Sequence, residues 1–225
     1  MKRQRSQVND TQRSNRVPLD PKTEKQKEYL HALRSHDQIF AIGPAGSGKT
    51  YLPTVLATKM YLLGQIDRII LSRPAVEAVE EKHGFLPGNL HQKLAPWVLP
   101  VTEIIQDIMG KEAFENMLKC GDLEVAPFTY MRGRTFGNAF ILLDEAQNTT
   151  PAQMEMFMTR IGEGSKVVVC GDLRQTDRGT NSGLASAIGL IERYKIPAAV
   201  IRFTTADIVR SGICKQWAEA FEKGL

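Results

Sequence analysis

The sequence predicts an α/β fold in which helices cover both faces of a mostly parallel sheet. Short, almost wholly apolar runs rich in Val, Ile and Leu recur along the chain, as strands buried on both faces require. Helical stretches separate these runs, and that alternation is typical of parallel sheets. The length of 225 residues fits one domain and a short tail.

The elements follow in order along the chain. A helix with Tyr29, Leu30 and Leu33 on one face precedes the first strand, and residues 97–118 form a further compact region between strands. The predicted strands are 38–42, 68–71, 139–143, 166–170 and 198–203, and the other predicted helices are 49–63, 151–161 and 182–192. Pro151 and Gly162 suit the first turn and the end of their helix.

Composition excludes several classes of protein. Hydrophobic residues make up 42% and charged residues 24%, as in soluble globular proteins. No apolar run approaches the roughly 20 residues of a membrane helix, and none follows the basic N-terminus as a secretory signal would. Cys120, Cys170 and Cys214 share no ligand spacing with the four histidines. Reduced thiols, a cytoplasmic location and no membrane contact are therefore expected.

The N-terminal segment is basic. Residues 1–16 carry five basic side chains against Asp10 alone, so they hold the whole formal charge of +4. We expect residues 1–21 to be a basic disordered tail and residues 22–225 to be the domain. The tail is either simply solvated or a contact for nucleic-acid phosphates, and both interpretations remain open.

The first strand leads into a phosphate-binding loop. Its sequence, Gly43-Pro44-Ala45-Gly46-Ser47-Gly48-Lys49-Thr50, matches G-x-x-x-x-G-K-[ST] at every fixed position, and Tyr51 follows it into a helix. Glycines let backbone N–H groups surround anionic oxygens, and the helix N-terminus adds partial positive charge. Lys49 is expected to contact the β- and γ-phosphates and Thr50 to bind Mg²⁺. The strand before the loop and the helix after it disfavour a simple glycine-rich turn.

Strand 139–143 ends in two carboxylates, Asp144 and Glu145. Ligands of open α/β sheets bind at the carboxyl ends of the strands. Asp144 is expected to hold Mg²⁺, directly or through an intervening ligand. Glu145 would face the other side of an extended segment and deprotonate a water beside the γ-phosphate. A phosphate loop alone would also fit a small-molecule kinase or a GTPase. Glu145 next to Asp144 favours water as the acceptor, and therefore hydrolysis; an acidic cap before Pro151 is the alternative.

Strand 166–170 also ends in polar residues, Gly171-Asp172-Leu173-Arg174-Gln175. Gln175 is expected to hydrogen-bond the γ-phosphate or the attacking water, and so to report whether the phosphate is present. Asp172 either joins that chemistry or caps the loop through backbone N–H groups.

These motifs together resemble a known family. The phosphate loop, Asp-Glu-Ala-Gln at 144–147 and Gly-Asp-x-x-Gln at 171–175 resemble the first motor domain of superfamily 1 helicases. Over residues 23–221 the chain is similar to the PhoH (phosphate-starvation-inducible) ATPases. The segments that carry this second resemblance are Arg73-Pro74-Ala75-Val76-Glu77-Ala78, Gly84-Phe85-Leu86-Pro87-Gly88, Tyr130-Met131-Arg132-Gly133-Arg134-Thr135 and Asp144-Glu145-Ala146-Gln147-Asn148-Thr149-Thr150.

The resemblance implies a fold and further roles. The fold would be a RecA-like P-loop NTPase with an additional strand and a catalytic glutamate, and the ligands would be ATP and Mg²⁺. Gln26 matches the adenine-reading glutamine of helicases, its amide pairing with N6 and N7; an exposed helix glutamine is the alternative. Arg210 would act as an arginine finger. A homo-oligomer is implied, with a hexameric ring as one form. Arg210 would serve its own site or a neighbour's, and a ring would favour the neighbour's.

The resemblance also implies contact with single-stranded RNA or DNA. Arg132 and Arg134, which flank Gly133, would grip a strand by phosphate contact and stacking, or else form caps and salt bridges. Arg73 follows a strand end where helicases place a strand-binding loop, and it is a second candidate.

The sequence departs from the family pattern at two places and in its organisation. Leu173-Arg174 stands where the family has Pro-Thr, and Ser211-Gly212 stands where it has His-Pro. With neither a second motor domain nor accessory domains expected, processive unwinding by a monomer is not expected. The predicted function is Mg²⁺-dependent ATP hydrolysis coupled to single-stranded nucleic acid. The alternative is a regulatory ATP-binding module that acts on a protein partner with little turnover.

Overall fold

The computed structural model describes residues 18–74, 90–175 and 181–224. Most of the expected tail, and the family-like segments at 75–78 and 84–88, lie outside the described residues. Leu19, near the end of the expected tail, packs against the core. None of the helices in the described part of the chain is both long and apolar enough to cross a bilayer.

The described residues form a six-stranded sheet in which every pairing is parallel, as predicted. The strands are β1 (Gln38–Ile42), β2 (Arg68–Ser72), β3 (Leu123–Val125), β4 (Ala139–Leu143), β5 (Lys166–Gly171) and β6 (Ala199–Arg202). Their order across the sheet is β3-β2-β4-β5-β1-β6. Strand β3, at one edge, was not predicted from the sequence.

Seven α-helices lie within the described ranges. They are α1 (Glu24–Ser35), α2 (Tyr51–Leu62), α3 (Leu90–Met109), α4 (Lys111–Cys120), α5 (Pro151–Met158), α6 (Gly183–Tyr194) and α7 (Gly212–Gly224). The region expected at 97–118 is thus two helices, broken at Gly110, whose φ is +82°. Helix α5 ends three residues earlier than predicted, and α7 was not predicted.

Alternate residues of the central strands enter two separate cores. In β4, Phe140 and Leu142 pack into the first core, whereas Ile141 and Leu143 pack into the second. Helices α1 to α4 cover the first core; α5, α6 and residues 128–136 cover the second. A strand covered on both faces must be apolar at every position, which is why these runs show no polar alternation.

The strand order positions the functional segments. Strand β5 lies between β1, which precedes the phosphate loop, and β4, which precedes the acidic pair. It is the additional strand that the fold class predicted. Because all strands are parallel, the phosphate loop, the acidic pair and the tip of β5 leave the sheet at one edge.

Candidate functional site

A cavity of about 710 Å³ lies at the carboxyl edge of the sheet. It brings together most of the residues singled out from the sequence. Those that line it are Gln26, Ala45, Gly46, Gly48, Lys49, Thr50, Tyr51, Arg73, Asp144, Glu145, Asp172, Gln175 and Arg210. Helix α3 adds an apolar wall of Pro100, Val101 and Ile104, which the sequence did not reveal as part of the site.

The phosphate loop and the acidic pair meet directly. Thr50 Oγ1 donates a hydrogen bond of 3.1 Å to Asp144 Oδ1, and the Glu145 N–H donates one of 3.0 Å to the same oxygen. Burial raises the pKa of Asp144, as does the nearby Glu145 carboxylate, while the Glu145 N–H, Arg73 and the Thr50 hydroxyl oppose that rise. Two segments about ninety residues apart therefore share one oxygen of a partly buried carboxylate.

The donor set at this point fits Mg²⁺. A hydroxyl and a carboxylate are the hard oxygen ligands that Mg²⁺ prefers, and this ion usually keeps waters and substrate phosphates as its other ligands. Within the described ranges, no group of three His, Cys, Asp or Glu side chains is arranged to hold a metal by itself. Thr50 and Asp144, whose side chains meet at 3.1 Å, are the residues that would hold the ion.

Lys49 is held from both ends. Its Nζ donates to the Pro44 carbonyl at 2.7 Å, while its own carbonyl accepts from Tyr29 Oη at 2.9 Å and Cys170 Sγ at 3.2 Å. Burial lowers the pKa of Lys49, and surrounding groups that include Asp172 oppose that change. Cys170 is a buried free thiol, as expected.

The three glycines of the loop all have positive φ and close neighbours, and at Gly46 and Gly48 the neighbour is another residue of the cavity. Gly46 has φ +84°, and a Cβ there would lie 2.8 Å from Arg210 Cγ and Cδ. Gly48 has φ +88°, and a Cβ there would lie 2.9 Å from Gln26 Nε2. Glycine thus serves both the turn of the loop and the approach of these two side chains.

The remaining loop residues build its frame. The Gly43 N–H donates to the Gly171 carbonyl at 3.1 Å, which ties the loop to β5. Ser47 is buried, and its Oγ donates to the Pro44 carbonyl at 3.0 Å. Tyr51 is 43% exposed at the start of α2, so its ring is available at the wall of the cavity.

Gln26 is buried, with 3% of its surface exposed, so the alternative of an exposed helix glutamine is wrong. Its Oε1 accepts from the Lys22 N–H at 2.7 Å, and its Nε2 donates to the Ser47 carbonyl at 2.9 Å. An amide has two donor hydrogens and two acceptor lone pairs, so each end retains capacity for one further hydrogen bond.

Glu145 departs from the extended geometry expected of it. Its φ is +54° and its ψ is 37°, the left-handed conformation, and it begins the 3₁₀ turn Ala146–Asn148. The side chains of Asp144 and Glu145 therefore diverge because the chain turns at Glu145, and not because successive residues of an extended strand face opposite sides. Glu145 Oε2 accepts from Gln147 Nε2 at 2.6 Å, and Oε1 lies 3.5 Å from Arg73 Nη2. Non-glycine residues seldom adopt this conformation, and those that do cluster at functional sites.

The tip of β5 borders the same cavity. Asp172 Oδ1 accepts from the Arg174 N–H at 3.0 Å, which is the capping role considered for it. Gln175 lines the cavity, and its N–H donates to the Asp172 carbonyl at 3.1 Å.

The three arginines considered for strand binding lie in different surroundings. Arg134 forms two hydrogen bonds to Glu124, of 2.5 and 2.9 Å, which is the salt-bridging alternative. Its guanidinium also lies 4.7 Å from the centre of the Phe136 ring. Arg132 is exposed. Arg73 lies beside Glu145 inside the cavity.

Neither Gln147 nor the Tyr29 hydroxyl had a role predicted from the sequence. Gln147 bridges the acidic pair and β5, since its Oε1 accepts from the Asp172 N–H at 3.1 Å. The signal available in the sequence was an amide two residues after the strand-end Glu145. Tyr29 was noted only for its place on an apolar helix face, and nothing in that pattern reveals a bond to Lys49.

Comparisons with known proteins agree with the sequence resemblance. A family model described as "PhoH-like protein" matches residues 18–222. The chain is 45% identical over 204 residues to a "PhoH-like protein" of Bacillus subtilis (strain 168), covering 90% of this chain and 63% of that protein. It is 42% identical over 208 residues to "Protein PhoH" of Escherichia coli (strain K12), covering 91% and 58%. The chain therefore spans about 60% of the length of these curated relatives.

Two solved helicase structures are among the matches to this chain. The UvsW helicase from bacteriophage T4 has a TM-score of 0.46 and 12% identity, over 90% of this chain and 68% of that one. The Pif1 helicase from Candida albicans has a TM-score of 0.36 and 15% identity, over 81% and 40%.

Proposed function

The chain belongs to the PhoH-like protein family, and on that premise we propose that it binds ATP with Mg²⁺ and hydrolyses it. The observation that carries this proposal is the hydrogen bond between Thr50 and Asp144. It joins a phosphate-binding loop to a strand-end carboxylate at one cavity, where Glu145 follows directly. The contacts of these residues support a role for each.

The phosphate loop binds the triphosphate. Its backbone N–H groups and Lys49 surround the phosphate oxygens, and Thr50 with Asp144 holds the metal. Mg²⁺, when bound, neutralises phosphate charge that develops during transfer. Glu145 accepts the proton of the attacking water, and Gln175 orients that water or contacts the γ-phosphate.

Arg210 acts within its own molecule. Its side chain packs over Gly46, and the neighbouring Val209 N–H donates to the Gly46 carbonyl at 3.0 Å. A guanidinium held against the phosphate loop of the same chain is placed to stabilise charge on the transferred group. This contact favours Arg210 as an arginine finger for its own site over one for a neighbour.

Gln26 reads the adenine base through its remaining donor and acceptor. Because its amide is fixed by Lys22 and Ser47, its orientation is set before the nucleotide arrives. A fixed amide favours adenine, with a donor at N6 and an acceptor at N7, over guanine, with an acceptor at both positions.

We also propose that hydrolysis is coupled to single-stranded RNA or DNA. The helicase-type motif set supports this, and exposed Arg132 beside Gly133 is the first candidate for phosphate contact. Arg134 and Arg73 are weaker candidates, because each already has a carboxylate partner. The homo-oligomeric ring and the cytoplasmic location remain predictions.

A second candidate function is the regulatory ATP-binding module. One observation favours it: both oxygens of Glu145 are engaged, one by Gln147 and the other by the Arg73 guanidinium. A general base paired with a cation is less available to a water, and turnover would then be slow.

One substitution separates the two candidates. Hydrolysis predicts that Glu145→Gln lowers ATP turnover by roughly 10²- to 10⁴-fold, the contribution typical of a general base. The affinity for Mg·ATP, measured by calorimetry, should change little, so that bound ATP is trapped. Equally slow turnover in the wild type and the variant would favour the regulatory module.

The nucleic-acid coupling is tested with oligonucleotides. We expect single-stranded RNA or DNA to raise steady-state ATP turnover, and its binding to weaken with salt because phosphate contacts release counterions. If neither oligonucleotide raises ATP turnover and neither shows salt-sensitive binding, this part of the proposal is refuted. Sizing the protein with a slowly hydrolysed ATP analogue tests the ring at the same time.

A further inference from the structure

Gln147 links two strand ends inside the described part of the molecule. It is 2% exposed and lies in the 3₁₀ turn directly after Glu145. Its Nε2 donates to Glu145 Oε2 at 2.6 Å, while its Oε1 accepts from the Asp172 N–H at 3.1 Å. One carboxamide therefore spans from the end of β4 to the end of β5.

The orientation of this amide is fixed by chemistry. An N–H group needs an acceptor and an ionised carboxylate only accepts, so the oxygen must face Asp172 and the nitrogen must face Glu145. The reverse orientation would lose both hydrogen bonds inside a buried site. The arrangement is thus the one that satisfies both neighbours.

The surroundings hold Gln147 in place. Ser182 Oγ, just before α6, donates to the Gln147 carbonyl at 2.9 Å. At Gly171, a Cβ would lie 2.8 Å from Gln147 Oε1 and 2.6 Å from Leu184 Cδ2. A glycine as the last residue of β5 therefore leaves space for the amide of Gln147.

We propose that Gln147 is a positioning residue that fixes the Glu145 carboxylate and joins it to the tip of β5. The catalytic part of this inference rests on the proposed function. Glu145 occupies a left-handed conformation, which persists only where the surroundings hold it, and its carboxylate contacts Gln147 and Arg73. The same amide holds Asp172, whose carbonyl accepts from the Gln175 N–H. Through Gln147 and Asp172, the positions of Glu145, the proposed general base, and Gln175, the residue assigned to the γ-phosphate, depend on each other.

Two variants separate the two arms of the amide. Gln147→Leu removes both hydrogen bonds with little change of volume. Gln147→Glu keeps an acceptor for the Asp172 N–H but places a carboxylate against Glu145. Ser165→Ala is the matched control, because Ser165 is also buried and its side chain also makes two hydrogen bonds, in its case to backbone groups of Phe136 and Ala139. It precedes β5 at the opposite end of that strand.

Steady-state kinetics and thermal melting provide the first readout. Groups that orient a catalytic residue typically contribute roughly 10- to 100-fold, so kcat of both Gln147 variants should fall by that factor. The affinity for Mg·ATP should stay within about threefold, because the phosphate loop is untouched. Ser165→Ala should melt earlier with unchanged kcat. A wild-type kcat in Gln147→Leu, or an equal loss of kcat in Ser165→Ala, would overturn the inference.

Amide hydrogen exchange at Asp172 is a readout that needs no turnover. Loss of one hydrogen bond should raise its exchange by roughly fivefold in Gln147→Leu, whereas Gln147→Glu should retain protection. Glu145→Ala should also raise exchange at Asp172, since it removes the hydrogen bond that Gln147 Nε2 donates to Glu145. Unchanged exchange in Gln147→Leu or in Glu145→Ala overturns the link. A wild type that turns over no ATP would instead refute the proposed function, and exchange would still decide the link.

Discussion

Gly46→Ala is the substitution that most directly tests the placement of Arg210 over the phosphate loop. Gly46 has φ +84°, and a new Cβ would lie 2.8 Å from Arg210 Cγ and Cδ and 3.1 Å from its Nε. Such distances are too short for carbon contacts, whose optimum is about 3.5–4.0 Å. The obstructing atoms belong to a flexible side chain, so Arg210 moves away from the loop and the backbone stays.

The stability cost and the catalytic cost can be calculated separately. Alanine at positive φ costs about 1–2 kcal/mol, and each kcal/mol lowers Tm by about 2–4 °C in a chain of this size. Gly64 is the matched control, with φ +69° and open space around its Cβ position. Both alanine variants should therefore melt earlier by similar amounts. Only Gly46→Ala should lose the arginine contribution to kcat, on the order of 10³-fold.

The assay is a double-mutant cycle in kcat. If displacement of Arg210 explains the loss, Gly46→Ala and Arg210→Ala should lower kcat to similar levels, and the double variant should be no slower than Arg210→Ala. Multiplicative losses would mean that Gly46→Ala acts through the phosphate cradle. A wild-type kcat in Gly46→Ala would mean that Arg210 does not act from this position. Either result would refute the role assigned to Arg210 within its own chain.

Two further predictions concern helix α6 and the arginines at positions 132 and 134. At the start of α6, a Cβ on Gly183 would lie 2.4 Å from a backbone oxygen, whereas Gly189 in the same helix has open space. In urea titrations, Gly183→Ala should therefore lower the free energy of unfolding by more than about 2 kcal/mol. Gly189→Ala should raise it by about 0.5–1 kcal/mol. Equal effects at the two positions would contradict the packing. Arg134→Ala should lower the free energy of unfolding by about 1 kcal/mol, because it removes the ion pair with Glu124. Arg132→Ala should leave Tm unchanged. It should reduce, by about 1, the slope of the logarithm of the oligonucleotide binding constant against the logarithm of the salt concentration.

The sheet was predictable because its central strands are simple. Every residue of β4 and β5 is buried, so β4 appears in the sequence as an unbroken apolar run, and β5 as an apolar run after Lys166. Strand β3 has only three residues, and one of them, Glu124, is a partner of Arg134. Neither length nor pattern distinguished it from a loop. Helix α7 was missed although Ile213, Trp217 and Phe221 recur at four-residue spacing; all three are more than 60% exposed.

The site was predictable where a motif fixes local geometry and not where contacts join distant segments. The phosphate loop combines one strand, one turn and one helix, so its sequence specifies its shape. The bond from Gln26 to the Ser47 carbonyl spans 21 positions, and the bond from Gln147 to Asp172 spans 25. Such contacts depend on how α1 and β5 pack against the loop. The left-handed conformation of Glu145 was equally hidden, because a glutamate ordinarily avoids it.

The position of β5 explains how these distant contacts form one site. Neighbouring strands lie about 4.8 Å apart, so β1 and β4 lie about 10 Å apart with β5 between them. Across that distance Thr50 meets Asp144 above the end of β5, and the Gly43 N–H bonds the carbonyl of Gly171 on β5 itself. Because Gly171 has no side chain, the end of β5 leaves room for the amide of Gln147. The inserted strand therefore forms the floor of the cavity, and a nucleotide bound there would contact three strand ends at once.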